Sequence, residues 1–277
     1  MDSKQLTIVI VTFKSEAKIL ECLSSIGDQA NIIVVENSKN NLFKNKLEKK
    51  FSNLKCILTG GNLGYATANN IGLKLVKTKY ALVLNPDTIL DKSAIKNFLN
   101  RAEQIKEFWL MGPANDQNTI LEFNEDDFIE VNNLKGFAIF FNLSKFKEFF
   151  FDENFFLYFE EIDLCERVKI NKGKIYLDQK IKISHQGSQS VSNLDKLELE
   201  KNRNWHWMWS AFYYHKKYKG FFQALIIIFP KFLSALIKTI FYSAIFYKNK
   251  RDIYFCRLSG IFNSIIGKKS WYRPSID

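Results

Sequence analysis

The amino-acid sequence predicts an α/β fold, a Rossmann-like and mostly parallel sheet flanked by helices, followed by a helical C-terminal segment. Continuous apolar, β-branched runs such as Leu6–Val11 alternate with stretches of helical periodicity. This alternation is typical of βαβ units around a buried parallel sheet. A glycine-rich turn interrupts the pattern at residues 60–72, and the composition changes near residue 200.

The elements of the first half follow in order. Ser15 is placed to cap the first helix, in which Ile19, Leu20 and Leu23 share one face. The short runs rich in Val, Ile and Leu are predicted strands, at Leu6–Val11, Asn31–Val35, Leu54–Leu58 and Tyr80–Leu84. The segments between and after them are predicted helices, at Ser15–Ile26, Asn40–Phe51, Ala66–Val76 and Lys92–Ile105.

The second half has a different pattern, with shorter elements. Three further strands are predicted, at Gly136–Phe141, Lys174–Leu177 and Ile181–Ser184. Two helices are predicted, a short one at Ser144–Phe149 and a longer one at Glu160–Asn171. Ligands of such sheets bind at the carboxyl ends of the strands, so the residues that follow each strand are the first candidates for a site.

Charge divides the chain into a near-neutral domain, residues 1–200, and a basic helical tail, residues 201–277. The tail holds 14 Lys and Arg residues against two Asp, whereas the whole chain has a net charge of +11. The tail also contains four of the five tryptophans. Basic residues next to Trp and Tyr are typical of segments that contact an anionic membrane surface.

The segment Phe221–Phe246 is strongly apolar, but Pro230 interrupts it and Lys231 and Lys238 add charge. A spanning helix needs about 20 clean apolar residues. The pattern therefore favours two shorter amphipathic helices in a membrane interface. A helical subdomain packed on the sheet and a single spanning helix are the alternatives.

The four cysteines lie far apart and form no Cys-x-x-Cys pair, which favours a reduced, cytoplasmic chain. The N-terminus has no apolar signal-peptide region. We expect a cytoplasmic protein that associates peripherally with the inner face of the cell membrane.

Polar residues follow the first two predicted strands. Thr12 and Phe13 end the first strand, and Glu36 and Asn37 end the second. Side chains at such positions can hydrogen-bond a nucleobase or a ribose, although Asn is also common in ordinary turns. The loop containing Gly61, Asn62 and Gly64 permits close approach of a ligand to the backbone. It lacks the Gly-Lys-Ser/Thr of a P-loop.

Two further positions suit a divalent cation. Asp87 ends the tripeptide Asn85-Pro86-Asp87 directly after the strand Tyr80–Leu84, and His185 ends the strand Ile181–Ser184. A carboxylate there suits Mg²⁺ or Mn²⁺ bridging a diphosphate. Alone, Asn-Pro-Asp is more often a turn, and a lone His is more often structural.

An aromatic run from Phe155 to Phe159 ends in the acids Glu160, Glu161 and Asp163. Acids in the first turn of a helix offset its dipole by about 0.3–1 kcal/mol. That explains the acids but not the aromatic run before them. A carboxylate beside apolar side chains has a raised pKa, which suits a general base.

Together these motifs resemble glycosyltransferase family 2, whose fold is GT-A, and in particular its rhamnosyltransferase-like branch. The resembling segments cover roughly residues 6–190. They are Ile8–Phe13, Val34–Ser38, Gly61–Ala66, Leu84–Asp87, Lys135–Phe137, Phe155–Cys165 and Ser184–Gly187.

The resemblance implies an inverting transfer of a sugar from a nucleotide-diphosphate donor to a glycan or lipid-linked acceptor. It implies that Asp87 and His185 hold a divalent cation, Mg or Mn, and that Glu161 is the catalytic base. Donor-nucleotide contacts are implied for Thr12, Phe13, Glu36, Asn37, Gly61, Asn62, Gly64 and Asn85. Acceptor contacts are expected for Tyr158, Phe159, Glu160 and Asp163, of which Asp163 could instead cap its helix.

The sequence departs from the family pattern at two places. Asn85 replaces the first acid of the metal motif, so Asp87 is its one carboxylate, and the base is Glu161 where Asp is more usual. The longer glutamate keeps the chemistry and could shift the acceptor.

Three other functions compete with this one. A sugar-phosphate nucleotidyltransferase would need a basic, glycine-rich loop after the first strand, which residues 12–16 do not supply. A non-enzymatic nucleic-acid-binding protein could stack bases on Trp205, Trp207 and Trp209. The apolar segment Phe221–Phe246 argues against that, because nucleic-acid interfaces are polar, and no nucleic-acid partner is expected. A degenerate, inactive transferase would not be expected to keep both Asp87 and Glu161.

Overall fold

The structure is a computed structural model that describes residues 5–114, 127–147, 150–185 and 196–273. Its described residues form two compact units. The first draws on Met1–Asp152 and Glu161–Ser192, and the second on Glu153–Glu160 and Asn193–Asp277. The division at residue 200 stays a prediction.

The first unit is built on two sheets. Its ten strands within the described ranges are β1 (Leu6–Thr12), β2 (Asn31–Glu36), β3 (Leu54–Leu58), β4 (Tyr80–Leu84), β5 (Thr88–Leu90), β6 (Phe108–Pro113), β7 (Phe128–Glu130), β8 (Ala138–Asn142), β9 (Lys174–Asp178) and β10 (Ile183–His185). Eight of them form one sheet in the order β3-β2-β1-β4-β8-β6-β9-β7, and β5 pairs with β10 in a small second sheet.

The amino-terminal half of the large sheet is parallel. Strand β1 lies between β2 and β4, and β2 pairs with β3, all in parallel. Strand β8 runs antiparallel to both β4 and β6, so the sheet is mixed beyond β4. The predicted α/β class is confirmed, with β8 as the main departure from a parallel arrangement.

Five α-helices of the first unit cover the large sheet. They are α1 (Glu16–Ile26), α2 (Asn41–Lys50), α3 (Tyr65–Lys74), α4 (Ala94–Gln104) and α5 (Glu160–Ile170), the last beginning at the junction of the two units. Alternate residues of β1 point to opposite faces of the sheet. Ile8 and Ile10 join one buried cluster with α1 and α4, and Val9 and Val11 join another with α3 and α5.

Two predictions of local structure are wrong. Ser15 occupies the N-cap position of α1 as predicted, but its side chain makes no capping hydrogen bond, since its hydroxyl donates to the Phe13 carbonyl at 3.0 Å. The helix expected over Ser144–Phe149 is a single 3₁₀ turn, Leu143–Lys145, and residues 148–149 lie outside the described part. Strands β5, β6 and β7 were not predicted.

The second unit consists of three helices and a short segment of aromatic residues. The helices are α6 (Lys196–Lys219), α7 (Phe221–Ala244) and α8 (Lys248–Ile265). Their common core includes Met208 and Phe212 of α6, Ile228 of α7 and Ile261 of α8. Gly260 lets α8 approach the backbone of Trp205, since a Cβ there would overlap the Trp205 carbonyl.

The expected break at Pro230 is wrong, because α7 is one helix of 24 residues that contains Pro230. Proline removes one helical hydrogen bond and leaves the carbonyl four residues earlier without its donor. Pro230 and Ile226 are both exposed, so solvent or a partner can satisfy that carbonyl. By length and composition α7 could cross a membrane, alone among the described helices, although core helices of soluble proteins meet the same criterion.

Candidate active site

The carboxyl ends of β1 and β2 lie side by side and carry buried polar groups. Thr12 pairs with Glu36 in the strand register, and the backbone N–H of Asn37 donates to the Thr12 carbonyl at 2.8 Å. Thr12 and Glu36 are both almost fully buried. The Thr12 hydroxyl and one Glu36 carboxylate oxygen have no hydrogen-bond partner within the described residues.

Burial raises the pKa of Glu36. A hydrogen bond from the Ser38 hydroxyl opposes that rise, and the charge of Glu16 adds to it. Glu36 therefore presents an acceptor that is costly to leave without a donor, because buried polar groups normally have partners. A ribose hydroxyl or a base N–H would supply one.

Asn37 holds the glycine-rich loop in place. Its amide nitrogen donates to Asn62 Oδ1 at 3.1 Å and to the Gly64 carbonyl at 3.3 Å. Its amide oxygen accepts from the Leu63 N–H at 2.9 Å and from the Thr59 hydroxyl at 3.2 Å. With donors and acceptor engaged, the Asn37 side chain is better suited to position the loop than to contact a nucleotide.

The loop leads directly into helix α3. Asn62 Oδ1 also accepts from the Gly64 N–H at 3.1 Å, and Gly64 has a φ of 86°, which favours glycine. Gly61 leaves open space where a side chain would stand. The loop can therefore receive a ligand close to its backbone, next to the half-buried Phe13 at the end of β1.

Asp87 and His185 are neighbours because β5 and β10 pair. His185 lies opposite Thr88 in that ladder, which places His185 Nε2 3.4 Å from Asp87 Oδ1. The Asp87 side chain is fully buried and that of His185 is 25% exposed. Asn85, two residues before Asp87, is half-buried. Its backbone N–H donates to the Phe137 carbonyl at 2.9 Å, and its backbone carbonyl accepts from the Thr88 hydroxyl at 2.8 Å.

This pair fits a divalent cation that also binds a diphosphate. Mg²⁺ is usually held by one or two protein groups together with substrate phosphates. No group of three or more potential ligands occurs within the ranges that the structure describes, so the protein would supply two. A carboxylate and an imidazole this close can contact one ion, and His185 is fixed by stacking on Phe137 at 4.8 Å between ring centroids.

The candidate base, Glu161, lies beside the same segment of chain. A Cβ built on Gly136 would stand 3.5–3.7 Å from the Glu161 side chain. The Tyr65 hydroxyl donates to the Gly136 carbonyl at 2.8 Å. Gly136 and Phe137 thus link Glu161 to His185 and Asp87 at one edge of the first unit.

Burial raises the pKa of Glu161, and the backbone N–H groups of Glu161 and Ile162 oppose the rise. A glutamate whose pKa lies above its ordinary range binds a proton more readily, which is what a general base requires. The side chain is half-buried, so it is still open to a substrate.

The other two carboxylates of this stretch, Glu160 and Asp163, have different surroundings. Asp163 is fully buried and accepts from Arg167 Nε at 2.7 Å. This ion pair makes direct contact of Asp163 with an acceptor unfavourable and favours a supporting role. Glu160 is also buried and begins α5.

Tyr158 and Phe159 are half-buried and have φ angles of 69° and 71°. Bulky residues rarely adopt this left-handed conformation, and such strain clusters at functional sites. Within the second unit the Phe159 ring contacts Trp207 and Tyr214, at 6.0 and 5.6 Å between centroids. Their role in acceptor binding stays a prediction.

Residues 7–165 match the sequence profile of a family described as Glycosyl transferase family 2. This match spans more than half of the chain and every strand-end residue described above except His185. The chain belongs to glycosyltransferase family 2. The predicted family and the predicted enzyme class, a glycosyltransferase, are thereby confirmed, and the nucleotidyltransferase and nucleic-acid-binding alternatives are set aside.

Two relatives have named functions. The low-salt glycan biosynthesis hexosyltransferase Agl10 of Haloferax volcanii is 27% identical over 191 residues, which are 59% of this chain and 61% of the relative. The teichoic acid poly(glycerol phosphate) polymerase of Staphylococcus epidermidis is 30% identical over 105 residues, 35% of this chain and 15% of the polymerase. This glycosyltransferase thus spans less than two thirds of each relative.

Solved structures support the fold. The crystal structure of S. aureus TarS 1–349 in complex with UDP has a TM-score of 0.54 at 14% identity and covers 97% of this chain and 93% of TarS 1–349. The structure of GalNAc-T7 with UDP, GalNAc and Mn²⁺ has a TM-score of 0.56 at 12% identity and covers 74% of this chain and 50% of GalNAc-T7. At such identities the similarity establishes the GT-A fold alone.

Some site residues were missed from the sequence. Tyr65, Gly136 and Phe137 lay in the resembling segments but had no assigned role, and the contacts that give them one join residues far apart in the chain. Thr59, which supports Asn37, carried no sequence signal.

We predict that Glu161→Gln stabilises this glycosyltransferase at neutral pH. The pKa of the Glu161 carboxyl is higher in the folded state than the ordinary value of about 4.3. Ionising the buried carboxylate therefore costs stability, increasingly as pH rises through the folded pKa. The melting temperature of the variant should exceed that of the wild type at pH 7, and the difference should shrink toward pH 4.

Glu166→Gln is the matched control for thermal unfolding. Glu166 lies on the same helix but forms a partly exposed ion pair with Lys169 at 2.7 Å. Loss of this ion pair should lower the free energy of unfolding by about 0.5 kcal/mol or less, the usual contribution of a surface ion pair. A Glu161→Gln variant less stable than wild type at pH 7 would contradict the desolvation of Glu161.

Proposed function

We propose that this glycosyltransferase transfers a hexosyl residue, with inversion, from a nucleotide-diphosphate sugar to a hydroxyl of a glycan or lipid-linked acceptor during cell-surface glycan assembly. Among hexoses we favour a deoxyhexose such as rhamnose. The observation that carries the proposal is the placing of Glu161, Gly136, Phe137, His185 and Asp87 along one edge of the sheet. The names of the two relatives support a role in glycan assembly.

The donor nucleotide would lie at the ends of β1 and β2. Thr12 and Glu36 offer buried polar atoms to its base and ribose, and Phe13 offers a ring face. Asn37 and Asn62 hold the loop of Gly61 and Gly64 open beside it. Asn85 supports the turn that ends in Asp87.

The diphosphate would reach Asp87 and His185, the residues that would hold Mg²⁺ or Mn²⁺. When bound, such an ion offsets the negative charge that develops on the leaving nucleoside diphosphate. His185 is oriented for this by its stacking on Phe137. Burial of the Asp87 carboxylate strengthens its attraction for a cation, because the local dielectric constant is low.

The Glu161 carboxylate would accept the proton of the acceptor hydroxyl. As the O–H bond breaks, the oxygen forms a bond to the anomeric carbon, and the bond from that carbon to the diphosphate oxygen breaks on the opposite side. One displacement inverts the anomeric centre. The raised pKa of Glu161 strengthens it as a base, while the ionised form is the reactive one.

The acceptor would be presented at a membrane. Eight large apolar residues of α7 are exposed, and six of them recur every three or four positions, so they share one face of the helix: Phe222, Ile226, Phe229, Leu233, Ile237 and Ile240. We call this set the apolar face of α7. It suits a bilayer interface, next to anionic lipid headgroups that the basic residues of the tail would attract.

Interfacial contact fits α7 better than a span. Its opposite face packs on α6 and α8, which carry ionised side chains such as Glu198, Lys201, Arg251 and Asp252. A span would bring such groups into hydrocarbon, which costs several kcal/mol each. The four cysteines, all buried and unpaired, support a reducing cytoplasmic location at the inner face of the membrane.

Glu161→Gln should reduce turnover by about 10²–10⁴-fold while leaving donor affinity unchanged, the usual effect of removing a general base. The assay is release of nucleoside diphosphate across a panel of nucleotide sugars with Mn²⁺ and acceptor. Glu166→Gln, on the same helix, should retain wild-type turnover. Wild-type turnover in Glu161→Gln would refute the assignment of the base.

Asp87→Asn should abolish the dependence of nucleoside diphosphate affinity on Mn²⁺. Calorimetry with UDP, dTDP and GDP, each with Mn²⁺ and with EDTA, measures this without turnover. Asp91→Asn is the control, since Asp91 is an exposed aspartate that bonds Ser93. Equal affinities with and without Mn²⁺ in the wild type would rule out the metal role.

Replacing Ile226, Phe229 and Leu233 together by Ser should weaken binding to vesicles by more than tenfold, because each buried large side chain contributes about 1.5–3 kcal/mol. Cosedimentation with phosphatidylcholine–phosphatidylglycerol vesicles measures it. The double variant Leu42→Ser and Ile170→Ser removes two exposed apolar side chains elsewhere and should bind as the wild type does. Unchanged vesicle binding of the triple variant would exclude the apolar face of α7 as the contact.

A further inference from the structure

Three cationic side chains of the second unit gather over two aromatic rings. Lys231 Nζ lies 5.7 Å from the Trp207 ring centroid, and Arg257 Cζ lies 5.8 Å from the same centroid. Lys238 Nζ lies 5.1 Å from the Tyr254 centroid, and Arg257 Cζ lies 6.0 Å from it. Arg257 therefore stands next to both rings, and each ring also has a lysine beside it. We call Lys231, Lys238 and Arg257 the cationic cluster.

Helical periodicity places these residues together. Lys231 and Lys238 are seven positions apart, about two turns, and so share one face of α7. That face is opposite the apolar face of α7. Tyr254 and Arg257 are three positions apart on α8, and Trp207 projects from α6. The cluster thus draws on all three helices of the second unit.

The cluster has no acidic counterpart among the described residues. Glu198 pairs with Lys201 and Asp252 pairs with Arg251, each at 2.7 Å. No member of the cationic cluster forms an ion pair within the described ranges. Lys231 and Arg257 are half-buried, whereas Lys238 is exposed. Half-buried charges are normally paired, so these two cations, with Lys238 at the ring that Arg257 also contacts, call for an anion.

Arg257 is the member of the cationic cluster whose hydrogen-bond donors are least well satisfied. Its guanidinium makes two long contacts, with Asn204 Oδ1 at 3.5 Å and Met208 Sδ at 3.6 Å. Its Nε is buried and has no hydrogen-bond partner within the described residues. Burial lowers the pKa of Arg257, and the pKa of nearby His215 is lowered by burial and by the charges of Lys219 and Lys231. The Arg257 shift reports a partly dry environment, and the His215 shift reports nearby positive charge as well.

We propose that Lys231, Lys238 and Arg257 form a binding site for a phosphate group, either free or carried by a lipid. A phosphate carries up to two negative charges and several acceptor oxygens, which matches a guanidinium fork flanked by two ammonium groups. A carboxylate would leave two of the three cations uncompensated. Trp207 and Tyr254 hold the cations in place through their ring faces.

The site lies wholly within the second unit and includes none of the residues proposed for sugar transfer, although the Trp207 ring contacts Phe159. Its test is therefore independent of that reaction. Inorganic phosphate and pyrophosphate are titrated into the full chain in EDTA, with calorimetry and tryptophan fluorescence as readouts. Pyrophosphate should bind and change the emission of Trp207, and Trp207→Phe should remove the emission change.

Arg257→Gln and Lys238→Gln should each weaken pyrophosphate binding by about tenfold to a hundredfold, the effect expected for losing a charge-assisted hydrogen bond. Arg257→Lys, which keeps the charge, should recover part of the affinity. Lys250→Gln removes an exposed cation from the first turn of α8, outside the cluster, and is the matched control. Equal weakening by Lys250→Gln would overturn the site in favour of diffuse attraction.

The source of the phosphate is decided by a vesicle arm. Wild-type and Arg257→Gln chains are compared on phosphatidylcholine vesicles with and without phosphatidic acid. Loss of soluble pyrophosphate binding in the variant supports a free phosphate. Selective loss of the phosphatidic acid effect, without soluble binding in the wild type, supports a lipid-borne phosphate. Absence of both effects would overturn the proposal.

Discussion

The parallel pairing of β1 with β2 on one side and β4 on the other is the constraint on which the first unit depends. Thr12 lies opposite Glu36 and Ile10 opposite Leu84, so three chain segments leave the sheet at the same edge. Each segment then turns away from the sheet and leaves its polar groups there. The pairing of β5 with β10 adds His185 to this edge, and Gly136 with Phe137 adds Glu161. The pairing of the backbone strands therefore brings the candidate site residues to one edge, whichever side chains those positions carry.

This edge of the sheet carries carboxylates that are shielded from water, and their ionisation lowers the stability of the folded protein. Burial raises the pKa of both Glu36 and Glu161, which means that each ionised carboxylate is less stable there than in water. Asp163, on the helix that bears Glu161, is also buried, but it forms an ion pair with Arg167. The contrast between Glu161 and Asp163, two residues apart, follows from which one has a cation beside it. The unpaired carboxylate is the one available to take a proton.

Much of the first unit could be predicted from the sequence because its signals are local. The runs that form β1 to β4 are mostly apolar, and the strands β3 and β4 begin and end at the predicted residues. Strand β6 was missed because Phe108–Pro113 contains glycine and proline, and Thr88–Leu90 and Phe128–Glu130 are too short to show a period. Asp87 and His185 could be singled out from their positions at the ends of predicted strands, whereas the choice of Glu161 over its acidic neighbours depended on the family resemblance. That they share one edge depends on pairings between distant segments, which a single sequence does not reveal.

Helix α7 shows most clearly what composition cannot decide. In the sequence, Phe221–Ala244 is an apolar segment with two lysines and a proline. The proline suggested an interruption of the helix, and the lysines suggested a segment too polar to span a membrane. In the folded unit the lysines lie on one face over Trp207 and Tyr254, and the large apolar residues lie on the other. Cation–π contacts hold each ammonium at a ring, so the lysines do not need to face bulk water on the apolar side. A single continuous helix can therefore carry exposed hydrocarbon on one face and positive charge on the opposite face. Such a helix meets the physical requirements of a segment that contacts lipid on one side and a phosphate on the other.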